Sequence, residues 1–370
     1  MDALDLVITS LGMVSSVGRD VVMACAAIRA GIACAQPLTY FEVLDEASQE
    51  MEPVTGHPIR GLTEGFTLIG RWLLLARACV ADLFHQGALP DATHASFWRA
   101  TGIRVVTPYH GDERFGVEAS DAAPSREPIR RAYLQPLLEA LRLPIDERNA
   151  DLLCQGPSGA IQSIHEASGW MEARGLERML VIAADSYCDP LTLEWLAGYR
   201  RLKTPENPQG LMPGEAGACF LLESAASARR RSPSMCFAIA SAAIRVEQNH
   251  FFSRKPNTGI ALAEALEETV AGAMPRAPFA GCMVSDLNGE NWRANEWGYA
   301  RIRLAQWFAE GPSLMLPAVS VGDTGAASGA GSVCVAARAL ARGYARGAQI
   351  LVVSSSERGH VGAMCLSMKG

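Results

Sequence analysis

One pattern of strand, turn, helix and strand occurs twice in this chain. The first copy runs from Asp151 to Ser186 and the second from Ala318 to Ser356. The two copies share a single offset of 170 residues, at which Ser158-Gly159-Ala160 matches Ser328-Gly329-Ala330, and 179–186 lies over 349–356. A chain whose two halves both end in the same βαβ unit is predicted to adopt an internally duplicated α/β fold.

The join between the two halves is indicated by a short basic run. Arg229-Arg230-Arg231 follows the first half and is most simply interpreted as a solvated linker. We therefore divide the chain into an N-terminal half, residues 1–230, and a C-terminal half, residues 231–370.

Composition excludes several classes of function. Hydrophobic residues make up 49% of the chain, enough for a large buried core, while the net charge of −6 offers no basic surplus for binding nucleic acid. No segment is long and apolar enough to span a membrane, and the N-terminus enters a strand without a basic leader. These features predict a cytoplasmic protein that contacts neither nucleic acid nor membrane.

The ten cysteines do not indicate a metal site or a disulfide framework. They are scattered singly, without CxxC pairs or Cys/His pairs at ligand spacing, and most lie in apolar runs. The small-residue turns at Gly325 and Gly329 lack the spacing of a phosphate-binding loop. We therefore expect neither a metal nor a cofactor.

The turn of the first copy has the shape of a site for a nucleophile. An apolar strand ends at Cys154, and the Gln155-Gly156-Pro157-Ser158 turn leads directly into a helix, whose unpaired N–H groups would stabilise a thiolate or an oxyanion. The residue at the elbow is Gly156, which has no side chain. Cys154 lies two residues upstream and is a weak candidate nucleophile, with a packed core thiol as the alternative.

Local patterns predict the elements between these units. Residues 36–61 are punctuated by prolines and read as irregular, whereas Leu62–Gln86 and Ser125–Leu143 each read as one helix. The opening strand is predicted to begin at Asp5, with Asp20 capping the helix that follows it.

Two further motifs resemble the β-ketoacyl synthases of the thiolase superfamily. The opening VITSLGMVSSVG, followed by IRAGIA, resembles the start of these enzymes, and PGEAGACFLLE at 213–223 resembles their GEGAGxxVLE signature. Together with the elbow helix and the second small-residue helix, these motifs extend in family order over nearly the whole chain. The resemblance implies the five-layered αβαβα thiolase fold, internally duplicated.

The same resemblance implies that the catalytic residues are missing. The position of the family's cysteine is Gly156, those of its two histidines are Asn288 and Asp323, and that of a nearby lysine is on or near Ala318. Asn288 could still donate a hydrogen bond to an enolate or thioester oxygen, and Asp323 could serve as a base, but neither supplies a nucleophile. We therefore identify no catalytic residue.

The acyl channel is expected to be shallow or closed. The loop that closes many ketosynthase pockets is represented here by Arg358-Gly359-His360-Val361-Gly362, without the family's aromatic residues. Trp292 and Trp297 follow Asn288 and are large enough to fill such a channel, although aromatic residues in such positions more often belong to a core or an interface.

Three functional hypotheses remain open at this point. The first is a catalytically inactive protein that binds another protein, as an adaptor or chaperone; it resembles the degenerate thiolase-like proteins found beside bacterial type VI secretion effector and PAAR-type tip genes. The second is the inactive subunit of a ketosynthase heterodimer, similar to a chain-length factor, in fatty-acid or polyketide synthesis. The third is a divergent acyltransferase using Cys154, Asn288 and Asp323.

The resemblance also implies a dimer. Members of the family dimerise through edge strands of their central sheets, so we expect a homodimer or a heterodimer with a thiolase-fold paralogue. A secretion component or effector is the further partner that the first hypothesis requires.

Overall fold

The computed structural model describes residues 6–45, 47–87, 89–111, 113–117, 124–274, 278–309 and 311–368. Its strands are β1 Leu6–Ser15, β2 Gln36–Asp45, β3 Glu50–Gly56, β4 Thr101–Val106, β5 Ala150–Leu153, β6 Arg178–Ser186, β7 Glu215–Ser224, β8 Phe237–Val246, β9 Cys282–Ser285, β10 Ser313–Met315, β11 Gln349–Ser355 and β12 His360–Met368. Its helices are α1 Val21–Arg29, α2 Ile69–Gly87, α3 Ala95–Arg99, α4 Glu127–Ile129, α5 Gln135–Leu141, α6 Gly159–Glu172, α7 Pro190–Gly198, α8 Ala225–Arg231, α9 Ile260–Ala273, α10 Asn291–Arg303, α11 Ala318–Val321 and α12 Ala327–Ala341.

The strand order shows the duplication directly. Ten strands follow the order β10-β9-β11-β12-β8-β1-β7-β6-β4-β5, in which the five strands of the second half repeat the arrangement of the five in the first. The two groups meet at β1 and β8, which pair over only two residue pairs, Val7 with Ala238 and Ile8 with Phe237. The first strand of each half is therefore the one that meets the other half.

Helices α6 and α12 lie between the two groups of strands. Each of them packs against strands of both halves, whereas α2 covers β1, β7 and β6 on one outer side and α9 covers β8 and β12 on the other. The layers are therefore helix, sheet, helix, sheet, helix, the five-layered αβαβα arrangement that the resemblance implies.

Alternating side chains explain why the strands are buried on both faces. In β6, Met179, Val181 and Ala183 face the central core, while Leu180 and Ile182 face the core under α2. Because successive strand residues point to opposite faces, a strand covered by helices on both sides must be apolar throughout. This is why β6 reads as an uninterrupted apolar run.

Glycine permits the close approach of helix α2 to the sheet. A Cβ added to Gly12 in β1 would lie 2.1 Å from the carbonyl oxygen of Cys79, and one added to Gly217 in β7 would lie 2.3 Å from that of Leu75. Both contacts are with the backbone of α2, which cannot give way as a side chain can. Gly217 of the PGEAGACFLLE motif therefore sets the distance between α2 and the sheet.

Several local predictions were wrong. Within 36–61, the strands β2 and β3 pair antiparallel rather than being irregular, and α2 begins only at Ile69. The predicted helix Ser125–Leu143 is divided, because a π-helical segment at Arg130–Leu134 separates α4 from α5. Asp20 caps α1 as predicted, accepting a hydrogen bond from the amide of Met23, while Asp5 lies outside the described residues.

Two further corrections concern the second half and the join. The segment from Ala318 is the helix α11, which begins after Pro317 and ends at Gly322 with φ +71°, so the strand of the second copy is β10. The basic run at the join is the last turn of α8, where Arg230 pairs with Glu177 and Arg231 pairs with Glu223. The basic run is therefore part of a helix held by ion pairs rather than a free linker. The division of the chain at residue 230 stays a prediction.

Candidate functional site

The elbow after β5 has the backbone of a nucleophile turn but presents no side chain. Gly156 has φ +63°, a left-handed conformation that residues with a Cβ rarely adopt. The nearest atoms to a Cβ built there are Ser356 Oγ at 3.5 Å, Ser356 Cβ at 3.8 Å and Glu357 Oε2 at 3.9 Å, all ordinary contacts. Space for a side chain therefore exists at the elbow, and the sequence leaves it empty.

The amide groups around the elbow are already occupied. Gly156 N–H donates to the carbonyl oxygen of Thr107 at 2.9 Å. Ser158 N–H donates to Ser356 Oγ at 3.1 Å, and the hydroxyls of these two serines are 2.9 Å apart. Gly159 N–H donates back to the carbonyl of Gly156, and Pro157 has no N–H. A helix start stabilises an anion through free N–H groups, and these are spent on the protein itself.

Cys154 is buried just before the elbow. It is 7% exposed and packs with the core under α2. Burial raises the pKa of its thiol, and the hydroxyl of Thr107 opposes that shift only in part. Cys154 lines the same small cavity as Gly156, so it shares that side of the turn, but it is a neutral thiol there rather than an activated nucleophile.

Asn288 and Asp323 are brought together, as expected of two positions in one site. The Asn288 side-chain amide donates to Asp323 Oδ2 at 2.6 Å and to Glu290 Oε2 at 2.8 Å. Asp323 Oδ1 accepts from the amide of Gly325 at 2.8 Å. Burial raises the pKa of Asp323 to about 6, opposed by Arg293. Ala318 opens α11 and lines the same narrow cavity as Asp323.

Buried arginines occupy the space beside this pair. Arg201 binds Glu290 through two contacts of 2.7 and 2.8 Å and reaches Glu357 at 3.1 Å. Arg293 binds Asp286 at 3.1 Å and donates to the carbonyl of Ser355 at 2.7 Å. Although burial alone would raise it, Arg201 and Arg293 hold the pKa of Glu357 at about 2. We name these five residues, Arg201, Glu290, Arg293, Asp286 and Glu357, the ion cluster.

The ion cluster joins the two halves of the chain. Arg201 follows α7 in the first half, whereas both of its carboxylate partners belong to the second half. Tyr187 of the first half also donates to Glu357, at 3.1 Å. The Arg201 side chain is 1% exposed, so its charge is compensated by the protein rather than by water.

The two cavities at the elbow and beside Asp323 are too small for an acyl thioester. The cavity at the elbow has a volume of about 30 Å³, and the one beside Asp323 about 20 Å³. Such volumes hold one or two water molecules, whereas ligand pockets usually measure about 300–1,000 Å³. A larger groove of about 630 Å³ reaches Arg114 and Trp195, which also line the elbow cavity, so the closed channel stays a prediction.

The tryptophans are not what closes it. Trp292 packs beside Phe251, with ring centroids 5.7 Å apart, and Trp297 packs against the outer core under α9. Neither of them lines the two small cavities. The prediction that these tryptophans fill the channel is therefore not supported at the two cavities.

The ion cluster was missed by the sequence analysis, although a signal for it exists. Asp286 comes directly after the apolar strand β9, and Glu357 comes two residues after the end of β11. These two strands are parallel neighbours, so their ends lie at one edge of the sheet. Arg201 is harder to find, because nothing in its local sequence distinguishes it from the exposed Arg200 beside it.

The described residues contain neither a metal-binding cluster nor a membrane-spanning helix. Within the described part of the chain, no group of three or more His, Cys, Asp or Glu side chains is arranged to hold a metal ion. No helix among the described ranges combines the length and apolarity that crossing a bilayer requires.

Comparison with solved structures identifies the fold of this chain. No protein-family model matches the chain, and no curated protein matches it significantly. Solved structures do match over the full length. One is a type II polyketide synthase ketosynthase, bound to a hexaketide and in complex with its acyl-carrier protein, with a TM-score of 0.75, 14% identity and 100% of both chains covered. Another is the ishigamide ketosynthase/chain length factor, with a TM-score of 0.65, 20% identity and 99% of both chains covered.

A third similar structure is a β-ketoacyl synthase from Burkholderia phymatum STM815, with a TM-score of 0.69, 15% identity and 100% of both chains covered. Identities this low speak to the fold and not to the activity. The layers, the repeated strand order and these full-length matches together show that the chain has the thiolase fold of the ketosynthases.

Proposed function

We propose that this protein is a catalytically inactive relative of the ketosynthases that acts by binding another protein. The observation that carries the proposal is the elbow, where Gly156 offers no nucleophile and the neighbouring amides are bonded within the protein. A ketosynthase reaction requires both an acylated side chain and donors for the oxyanion. This elbow provides neither.

The ion cluster supports the same conclusion. Most of the charged atoms of the cluster bind one another, and the adjoining cavities have room only for water-sized molecules. Buried ion pairs are costly to form and strongly destabilising to break, so the cluster serves the fold rather than turnover. The scaffold is retained while the space for chemistry is filled.

The finer version of the proposal is an adaptor or chaperone for a secreted effector, of the type VI secretion kind. It is supported by the combination of an intact scaffold with an absent nucleophile, which leaves recognition as the remaining use. It requires an effector or a secretion component as partner.

A chain-length-factor-like role is the second candidate. One full-length structural match is the ishigamide ketosynthase/chain length factor. This role requires a thiolase-fold partner that carries the intact nucleophile. The third reading, an acyltransferase using Cys154, is disfavoured by the burial and raised pKa of that thiol.

The outer edge of β5 bears on how such a dimer would form. The carbonyl of Ala150 accepts from Arg130 and that of Leu152 accepts from Arg126, both at 3.2 Å. Leu152 N–H donates to Asp151 Oδ1 at 2.8 Å. The groups that an added strand would use are therefore bonded already, and a partner strand must displace both arginines.

Acylation tests whether the protein is inactive. The protein is incubated with malonyl-CoA and hexanoyl-CoA and its intact mass is measured, alongside Cys154→Ala and, as a control for surface acylation, Cys34→Ala. Cys34 is exposed, so any slow adduct is expected there. A rapid adduct that Cys154→Ala abolishes and Cys34→Ala preserves would overturn the proposal.

Co-purification from the native host separates the two binding roles. An effector or secretion component recovered at equal stoichiometry supports the adaptor. A thiolase-fold partner with its own cysteine supports the chain-length-factor-like role instead.

A further inference from the structure

A groove that is larger than the two cavities described above lies between α1 and the end of α12. It is lined by Val22, Cys25, Ala26, Arg29 and Ala30 of the α1 segment, and by Arg338, Arg342 and Tyr344. Its volume is about 510 Å³, within the range of small-molecule sites. We name it the arginine groove.

The charge of the arginine groove is uncompensated. Within the described residues, Arg29, Arg338 and Arg342 form no salt bridge and donate no side-chain hydrogen bond, and no carboxylate lines the groove. Arg29 and Arg342 are exposed and Arg338 is half-buried, so their charges are not paired with a carboxylate as those of the buried Arg201 and Arg293 are. Three free guanidinium groups facing one groove create a local field that attracts anions.

Tyr344 adds a polar group at the same place. Its hydroxyl is shielded from solvent and has no hydrogen-bond partner among the described residues. The Arg29 guanidinium lies 4.3 Å from the centre of its ring, which holds the ring in position. A rotation of the ring toward the groove would bring this shielded hydroxyl to a bound acceptor and relieve the cost of leaving it unpaired.

The α1 side of the groove is apolar. Val22, Ala26 and Ala30 are spaced four residues apart and so share one face of the helix. Cys25 lies below them, 2% exposed, and burial raises the pKa of its thiol to about 12, so that it adds no negative charge. The groove therefore combines a cationic end with an uncharged wall.

We propose that the arginine groove binds a phosphorylated small molecule, with the phosphate oxygens on Arg338, Arg342 and Tyr344 and the uncharged part along α1. A guanidinium fork matches two phosphate oxygens at once, and several such groups suit a multiply charged phosphate better than a single carboxylate. The groove lies at the end of α12 opposite to the elbow, so this binding is independent of the inactive ketosynthase site.

Helix ends offer a competing account of these arginines. Arg29 and Arg338 lie in the last turns of α1 and α12, where a positive charge favours the helix dipole without any ligand. Arg303 in the last turn of α10 has the same relation to its helix but does not line the groove. It is therefore a matched control.

Titration calorimetry with ADP tests the proposal. We expect saturable 1:1 binding that weakens at higher salt and is weakened about tenfold or more by Arg338→Gln/Arg342→Gln, since hydrogen bonds to charged groups are lost. Tyr344→Phe, which keeps the ring, is expected to weaken binding several-fold, and Arg303→Gln is expected to leave it unchanged. Circular dichroism verifies that each variant is folded.

Three results would overturn the proposal. One is the absence of saturable ADP binding at low salt. Another is an equal loss of affinity in Arg303→Gln, which would make the effect one of general surface charge. The third is tight binding of a polyglutamate peptide with none of ADP, which would make the groove a protein contact.

Discussion

The amide of Asn288 and the carboxylate of Asp323 are held 2.6 Å apart, at the two positions where the resemblance places catalytic histidines. Each group is also bonded to its own surroundings, Asn288 to Glu290 and Asp323 to the amide of Gly325. A base must have its lone pair directed at a substrate proton, and this carboxylate is directed at protein donors. The two side chains therefore bind each other and neighbouring protein groups.

The first prediction concerns the pH dependence of stability. His57 is fully buried, neither of its ring nitrogens has a partner among the described residues, and burial lowers its pKa to about 4. Since the unfolded pKa is higher, about 6.5, the unfolded chain binds the proton first and stability falls as pH drops from about 6.5 to 4. Asp323 acts oppositely: its pKa of about 6 exceeds the unfolded value of about 4, so the folded state binds the proton first and stability rises as pH drops over that range.

These two contributions largely offset each other between pH 4 and 6. Asp323→Asn removes only the contribution that stabilises the fold at low pH. We therefore expect the unfolding free energy of this variant to fall, relative to that of the wild type, by about 3 kcal/mol from pH 7 to 4. His57→Asn should show the opposite trend. Urea denaturation at pH 7, 6, 5 and 4 measures both slopes, and parallel curves for all three proteins would contradict the assignment.

A second prediction concerns the ion cluster. Arg201→Met leaves Glu290 without its bidentate partner in a buried position, so we expect a loss of about 3–5 kcal/mol in unfolding free energy. Arg201→Met/Glu290→Gln should lose less than the single variant, because the unpaired charge is gone. Arg131→Met, which breaks an exposed pair with Glu127, is the control and should change little. Urea denaturation measures all three, and equal effects at the two arginines would refute the structural role of the cluster.

The elbow supplies a third prediction. Gly156→Cys restores a thiol at the position of the nucleophile, and its Cβ has room. The left-handed backbone costs a residue with a side chain about 1–2 kcal/mol, so we expect a folded but slightly destabilised protein. Acylation by hexanoyl-CoA should remain slow, because the amides are occupied and the adjoining cavity has room only for water-sized molecules.

Intact-mass measurement decides this prediction. Gly156→Ala controls for the backbone strain without adding a thiol. Rapid and stoichiometric acylation of Gly156→Cys would mean that the site admits thioesters and that the missing side chain alone explains the inactivity.

The fold was readable from sequence because its strongest features are periodic. The duplicated unit and the uninterrupted apolar strands, such as Met179–Ala184, reflect burial on both faces of a strand, which leaves a local pattern. The hairpin of β2 and β3 was missed because one side of it is exposed and Pro53 interrupts the pattern. The division of the predicted helix at 130–134 left no local trace that we recognised.

The site was readable only in part, for a related reason. Gly156, Asn288 and Asp323 were found by matching motifs, and the structure brings the latter two together. The contact of Arg201 with Glu357 spans 156 positions of the chain, so its existence depends on the tertiary arrangement alone. A local pattern shows that a residue is charged and does not show which distant carboxylate compensates it.

The last prediction concerns self-association at the edge of the sheet. Arg126→Met/Arg130→Met frees the outward carbonyls of Ala150 and Leu152, which a partner strand would otherwise have to uncover. Each lost cap is worth about 1 kcal/mol, so the two together lower the dimer dissociation constant about thirtyfold, measured by sedimentation velocity. Arg131→Met, whose side chain pairs with Glu127 instead, should leave the constant unchanged. A weaker dimer in the double variant would show that association uses the arginines themselves or another surface, whereas a tighter one would make these two side chains a restraint on pairing through β5.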